Sequence, residues 1–151
     1  MATAAPAAHA ARIDVNCDLG EVDGGSWAAS HEPPLLALVT SANVACGGHA
    51  GDDATMAAVC AAAAARGVAI GAQVSYDDRE GFGRVFRDVP ADELADSVRG
   101  QWRALDAHAR RAGARVAYVK PHGALYHAIV HHEPHARVVV ALAREAGVPL
   151  M

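Results

Sequence analysis

Strand and helix patterns alternate along the chain. Arg12 to Asp18 (RIDVNCD) sets Ile13, Val15 and Cys17 against Asp14, Asn16 and Asp18, the period of two of a strand with one polar face. Leu19 to Pro34 reads as a loop rich in glycine and polar residues. The apolar run Leu35 to Val39, continued to Cys46, predicts a second strand; the overlapping stretch Ser41 to Asp52 (SANVACGGHAGD) then delivers His49 from a pair of glycines. Asp52 or Asp53 caps a helix over about Ala54 to Arg66, which Gly67 stops. Val68 to Val74 is a third strand, Ser75 to Pro90 a long loop, and Ala91 to Ala112 the strongest helical pattern, ended by Gly113. Arg115 to Lys120 (RVAYVK) predicts a fourth strand. Glu133 to Ala146 is another helix with Pro134 in its first turn, and Val148 to Met151 opens a fifth strand.

Repeated βα units make this an α/β chain with a parallel sheet or barrel rather than a sandwich or a bundle. A closed (β/α) barrel typically needs ~200 residues or more. The expectation is therefore the N-terminal part of a single β/α barrel domain over 12–151, truncated after about four βα units, preceded by a disordered tail at 1–11 (MATAAPAAHAA).

In parallel α/β architecture the carboxyl ends of all strands lie on one face. That brings together Asn16 and Asp18 from the first strand, Asn43 and His49 from the second, Gln73 from the third, and Lys120 and His122 from the fourth. Asp18, His49, Lys120 and His122 are the candidate catalytic groups, since imidazole titrates near neutrality and a carboxylate can share proton transfer with it. One aspartate with two histidines is also a common ligand set for a divalent metal, which makes Asp18, His49 and His122 the candidate metal site. Asn16, Asn43, Gln73 and Arg84 are candidate substrate contacts, Arg84 through its charge toward an anion. Simpler roles are expected elsewhere. Asp52 is a helix cap, Cys17 and Cys46 are small buried residues, and His127, His131, His132 and His135 form a solvated helix end lacking the acid of an HExxH site.

Composition narrows the partners. At 151 residues, 52% apolar and 20% charged, the chain has the makings of one globular domain. Thirteen basic against seventeen acidic residues leave a formal charge of -4, so nucleic acid is not an expected partner. No segment has the 18 or more nearly uncharged apolar residues of a membrane span, and no basic-then-apolar leader opens the chain, so no membrane partner is expected. Three cysteines without CxxC spacing point to reduced thiols in a cytoplasm.

Four motifs in order carry a family resemblance: NCDLGE (Asn16 to Glu21), SANVACGGHAGD, GFGR (Gly81 to Arg84) and VKPHGALYH (Val119 to His127). Together they resemble the successive signatures of the LamB/YcsF family, the A subunits of bacterial ATP-dependent 5-oxoprolinase. The resemblance implies a parallel (β/α) barrel of the glycoside hydrolase/deacetylase type. It implies a reaction in which 5-oxo-L-proline, ATP and water yield L-glutamate, ADP and phosphate, with separate B and C subunits as partners and ATP as co-substrate. The chain departs from the family pattern in three places. The chain reads GAQVSYDD where the family commonly shows GAHPGYPD, placing Gln73 for His and Val74 for Pro; Gly48 stands for the familiar Phe, and Val85 for a second Arg. Glutamine is a poor transition-metal ligand, so a metal would rest on Asp18, His49 and His122. No GxxxxGK[ST] loop is present, so nucleotide binding here would need another device. An ATP-independent, metal-dependent amide hydrolase or deacetylase, and a non-catalytic partner subunit or inactive fragment, are the alternative readings.

Overall fold

The computed structural model describes residues 13–23 and 26–151; the expected tail at 1–11 lies outside them. Four short strands, β1 (Asn16–Leu19), β2 (Ser41–Ala45), β3 (Ala69–Gln73) and β4 (Val116–Val119), pair in parallel in the order β1-β2-β3-β4. Each strand neighbours the next in sequence, the order of successive barrel strands rather than of a doubly wound sheet. The helices are α1 (Asp53–Ala64), α2 (Ala91–Arg111), α3 (Gly123–His131) and α4 (Glu133–Ala146). Among the described residues no helix is long and apolar enough to cross a membrane.

Alternation along the strands divides the sheet into two chemistries. Leu19, Ala42, Val44, Ile70, Ala72 and Val119 belong to the buried core. The helices supply Met56, Val59 and Cys60 from α1, Leu94, Val98 and Leu105 from α2, and Val139 and Leu142 from α4. The α2 residues recur at helical spacing, which explains why its pattern is the clearest in the sequence. The opposite face is polar. Register places Asp18 beside Asn43, Asn43 beside Gly71 and Gly71 beside Tyr118, one row across all four strands.

Gly71 is what lets that row close. A β-carbon there would lie 2.0 Å from the Tyr118 ring, so the ring lies across the glycine. Its hydroxyl thereby reaches past β3 to donate to Asn43 Oδ1 at 2.7 Å. Burial pushes the Tyr118 phenol up to about 12, keeping it a donor at neutral pH.

Four expectations need correction. Leu35 to Val39 is not strand: Pro33–Ala37 forms a 3-10 turn that buries Leu36 and leaves Leu38 exposed, and the strand begins only at Ser41. Consecutive prolines, each with a fixed φ and no N–H, suit a turn and cannot donate to a ladder. The predicted loop from Leu19 to Pro34 contains a second 3-10 turn, Ser26–Ala29, with Trp27 buried. Helix α3 has no counterpart among the predicted elements, because glycine and histidine dilute its pattern and only Ala124, Leu125 and Ala128 are buried. His135 is not solvated: it is fully buried, accepting from the Tyr76 hydroxyl at Nδ1 (2.7 Å) and donating from Nε2 to the Val89 carbonyl (2.9 Å). The predicted fifth strand is present as a parallel bridge between Val119 and Leu150. Asp52 does cap α1, accepting from Thr55 N–H at 2.8 Å.

Two glycine substitutions are expected to act in opposite directions. Gly71→Ala must displace the Tyr118 ring and should lower stability by roughly 1–3 kcal/mol. Gly100→Ala, on the open face of α2 where a β-carbon meets nothing within 4 Å, should raise it by about 0.5–1 kcal/mol. Urea midpoints of the two variants and the parent check both signs.

Candidate active site

At the carboxyl ends of the strands, two imidazole rings lie flat on one another. His49 and His122 stack with centroids 3.7 Å apart and planes 7° from parallel. His49 comes from the loop after β2, and His122 is the residue that immediately precedes α3 after β4. The Gly81–Arg84 turn covers the pair. A β-carbon on Gly83 would sit 2.8 Å from His49 Cβ and 3.1 Å from His122 Cδ2, and its φ of +66° lies where only glycine is unstrained. Phe82 adopts φ 54°, rare for a bulky residue, and its ring stands perpendicular to both imidazoles, with centroids 5.3 and 5.6 Å away.

Hydrogen bonds decide where the imidazole lone pairs point. The Phe82 carbonyl, which can only accept, takes a proton from His122 Nε2 at 3.1 Å. Nδ1 of neutral His122 is therefore bare. The Ser75 hydroxyl donates to the Tyr76 carbonyl at 3.0 Å, leaving its oxygen to accept from His49 Nδ1–H at 3.0 Å. Nε2 of neutral His49 is then bare as well. Both bare nitrogens face Glu21 Oε1, 3.2 Å from His49 Nε2 and 3.7 Å from His122 Nδ1.

Glu21 reaches this position because Glu32 accepts from the backbone N–H groups of both Gly20 and Glu21, fixing the turn after β1. Burial acts to raise the Glu21 carboxyl. The close contact with His49 and the hydrogen bond from the Gln73 amide outweigh that, hold it below its ordinary value and keep it ionised. The Gln73 amide donates to Glu21 Oε1 (3.1 Å) and His122 Nδ1 (2.9 Å). One contact stays without a shared proton: His49 Nε2 against Glu21 Oε1. Only a proton making an imidazolium–carboxylate pair, or a cation, turns it attractive. Burial presses the His122 pKa below its ordinary value, favouring the neutral ring that a metal requires.

Glu21, His49 and His122 thus offer one carboxylate oxygen and two imidazole nitrogens within 4.8 Å of one another. That donor set fits a divalent cation. Asp18, expected in this set, stands elsewhere. Its Oδ1 accepts from Lys120 Nζ (2.7 Å) and from Asn43 Nδ2 (2.8 Å). Asn43 also donates to Asn16 Oδ1 (2.9 Å), so its amide nitrogen, like that of Gln73, is engaged within the protein and orients its neighbours. Arg84 is exposed, its guanidinium 5.3 Å from the Phe82 ring centroid. With Asp18, Lys120, His122 and His127 it lines a cavity of about 430 Å³.

Sequence reasoning missed Glu21, although it ends the NCDLGE motif, along with the residues that hold the loops. Arg79 donates to the carbonyls of Gly47 and Gly51, both at 2.9 Å, and pairs with Asp23, tying the His49 loop to the segment after Glu21. Buried Gln101 clasps Ser75, accepting from its N–H (3.0 Å) and donating to its carbonyl (2.8 Å). That clasp accounts for the departure at Gly48, where a β-carbon would lie 2.5 Å from Ser75 Oγ and 2.7 Å from Gln101 Nε2.

Comparison with known proteins places these features. A model of the LamB/YcsF family matches residues 13–151. The chain is 60% identical over 135 residues to the A subunit of 5-oxoprolinase from Streptomyces coelicolor, covering 89% of this chain and 54% of the relative. It is 57% identical over 141 residues to the A subunit of 5-oxoprolinase from Streptomyces avermitilis, covering 92% and 56%. The crystal structure of a lactam utilization protein from Thermus thermophilus matches with a TM-score of 0.84 at 31% identity, over 93% of this chain and 65% of that one. The chain spans about half the length of the curated relatives it matches.

Removing the clasp is expected to be costly. Gln101→Leu leaves the buried N–H and carbonyl of Ser75 without their partner and should lower stability by roughly 2–4 kcal/mol, measured by urea unfolding.

Proposed function

The chain belongs to the LamB/YcsF family, and from that membership we propose that it takes part in the ATP-dependent opening of 5-oxo-L-proline to L-glutamate, as the A component of an enzyme that also needs separate B and C subunits. That the relatives are A subunits of 5-oxoprolinase and the structural neighbour is a lactam utilization protein supports the substrate class. The observation that carries the reading is the cavity in which His122, the outer member of the stacked pair, shares a wall with Asp18, Lys120 and Arg84. A small anionic cyclic amide suits it, with its carboxylate toward Arg84 and its carbonyl toward Lys120. Three unpaired cysteines, Cys17, Cys46 and Cys60, support a reducing cytoplasm.

The chemistry explains the need for ATP. An unstrained lactam carbonyl is a weak electrophile. Transfer of the terminal phosphoryl group to its oxygen releases ADP and makes the carbon attackable. One water adds to that carbon, the ring C–N bond breaks to leave an acyl phosphate and a free amine, and a second water releases glutamate and phosphate. Lys120, held by Asp18, offsets negative charge on the lactam or phosphoryl oxygen. Glu21 and His49 take the proton from the attacking water, and Gln73 keeps the Glu21 carboxylate oriented. A divalent cation on Glu21, His49 and His122 would add Lewis-acid polarisation of a bound oxygen.

The same Glu/His/His set favours a second reading, metal-dependent hydrolysis of an amide without ATP. Both are tested in the full-length protein in complex with its B and C partners. Release of ADP that depends on 5-oxoproline is expected. Glu21→Gln and Lys120→Met should each lower kcat/KM by roughly 100-fold or more, while Arg84→Met should raise KM with kcat little changed. Amide hydrolysis at full rate without ATP would favour the second reading and overturn the first.

A further inference from the structure

One buried polar atom beside the imidazole pair has no partner. Gln73 is completely buried at the end of β3, and its Oε1 makes no hydrogen bond, although such atoms are normally satisfied. Its other terminal atom explains why. Glu21 Oε1 and His122 Nδ1 are both acceptors, and the Gln73 N–H2 serves both, at 3.1 and 2.9 Å. The amide cannot turn its oxygen there instead, because three acceptors would then face one another. The N–H2 group thus occupies the electropositive role among these lone pairs, and the carbonyl oxygen is left stranded.

Resting on the reading of Glu21, His49 and His122 as a cation site, we propose that the Gln73 amide turns over when a divalent cation enters, so that Oε1 becomes the fourth protein ligand. Bound cation satisfies Glu21 Oε1 and His122 Nδ1 directly, which removes the need for the N–H2 donor. Turning the amide brings the stranded carbonyl oxygen to the cation. The exchange changes the preferred metal. A carboxylate, an amide oxygen and two imidazoles form an oxygen-richer set than a carboxylate and three imidazoles, and amide oxygens suit the harder manganese and magnesium ions. Gln73, standing where the sequence pattern leads one to expect histidine, shifts selectivity away from Zn²⁺ and toward Mn²⁺. Raw affinity for Zn²⁺ still exceeds that for Mn²⁺ in most nitrogen and oxygen sites, so the ratio between the two ions is the informative quantity.

The test titrates Mn²⁺ into the 151-residue chain, following loss of the free-ion electron paramagnetic resonance signal, and then displaces it with Zn²⁺. Gln73→Met has no donor and no oxygen. It should weaken Mn²⁺ binding tenfold or more; unchanged or tighter binding means the amide merely competes for the site and overturns the proposal. Gln73→Glu retains the side-chain length with oxygen alone and should tighten Mn²⁺ at least tenfold; weaker binding than the parent overturns the proposal even where the Met variant does not fold. Gln73→His should raise the preference for Zn²⁺ over Mn²⁺ at least tenfold, and an unchanged ratio counts against it. Absence of Mn²⁺ and Zn²⁺ binding by the parent chain would overturn the cation reading itself. Parent binding left unchanged in the Met variant overturns only the role of Gln73, so the two failures are distinguishable.

Discussion

Three acceptor atoms, Glu21 Oε1, His49 Nε2 and His122 Nδ1, face one another in a largely buried space with too few protons among them. Left alone such a group would move apart, or take up protons until the repulsion was relieved. The surrounding structure prevents the first. The Phe82 carbonyl fixes one ring and Ser75 the other. Glu32 sets the turn that carries Glu21, and Arg79 ties that segment to the His49 loop. Much of what is unusual here serves this convergence: the positive φ of Phe82, the glycine packed on both rings, the buried glutamine behind Ser75. Strain and buried polarity concentrated at one point mark a site rather than a scaffold.

The fold supplies the platform. One face of the sheet packs an apolar core, while the other carries a row of polar side chains set by register, from Asp18 through Asn43 to Tyr118. Asn43 links the row by donating to Asn16 and Asp18 and accepting from Tyr118, which leaves Asp18 aligned to hold Lys120. Two polar assemblies thus sit side by side. Lys120 with Asp18 offers positive charge at the cavity wall; Glu21 with the histidines offers lone pairs.

Part of this was legible in the sequence. Alternation over Arg12 to Asp18 pointed to β1, the short segments Val68 to Val74 and Arg115 to Lys120 pointed to β3 and β4, and parallel topology then required His49, Gln73, Lys120 and His122 to lie at one end of the sheet. What the sequence could not show was how the chain turns after β1. Asp18 ends the alternating pattern and so looked like the carboxylate of the site. In the structure Gly20 bends the backbone and Glu32, a dozen residues on, holds the bend, so that Glu21 rather than Asp18 meets the imidazoles. That swap depends on a side chain reaching across a loop, for which no periodicity exists. Helix α3 and the burial of His135 were hidden for a related reason: their partners, Gly83 and Tyr76, come from the long loop before α2.

If a cation binds at the strand ends, Glu21 rather than Asp18 is expected to hold it with the two histidines. Calorimetric titration of Zn²⁺ into Glu21→Gln and Asp18→Asn chains tests it most directly. The account predicts that Glu21→Gln weakens binding by roughly 100-fold while Asp18→Asn stays within about threefold of the parent. Loss of binding in Asp18→Asn with retention in Glu21→Gln would contradict it.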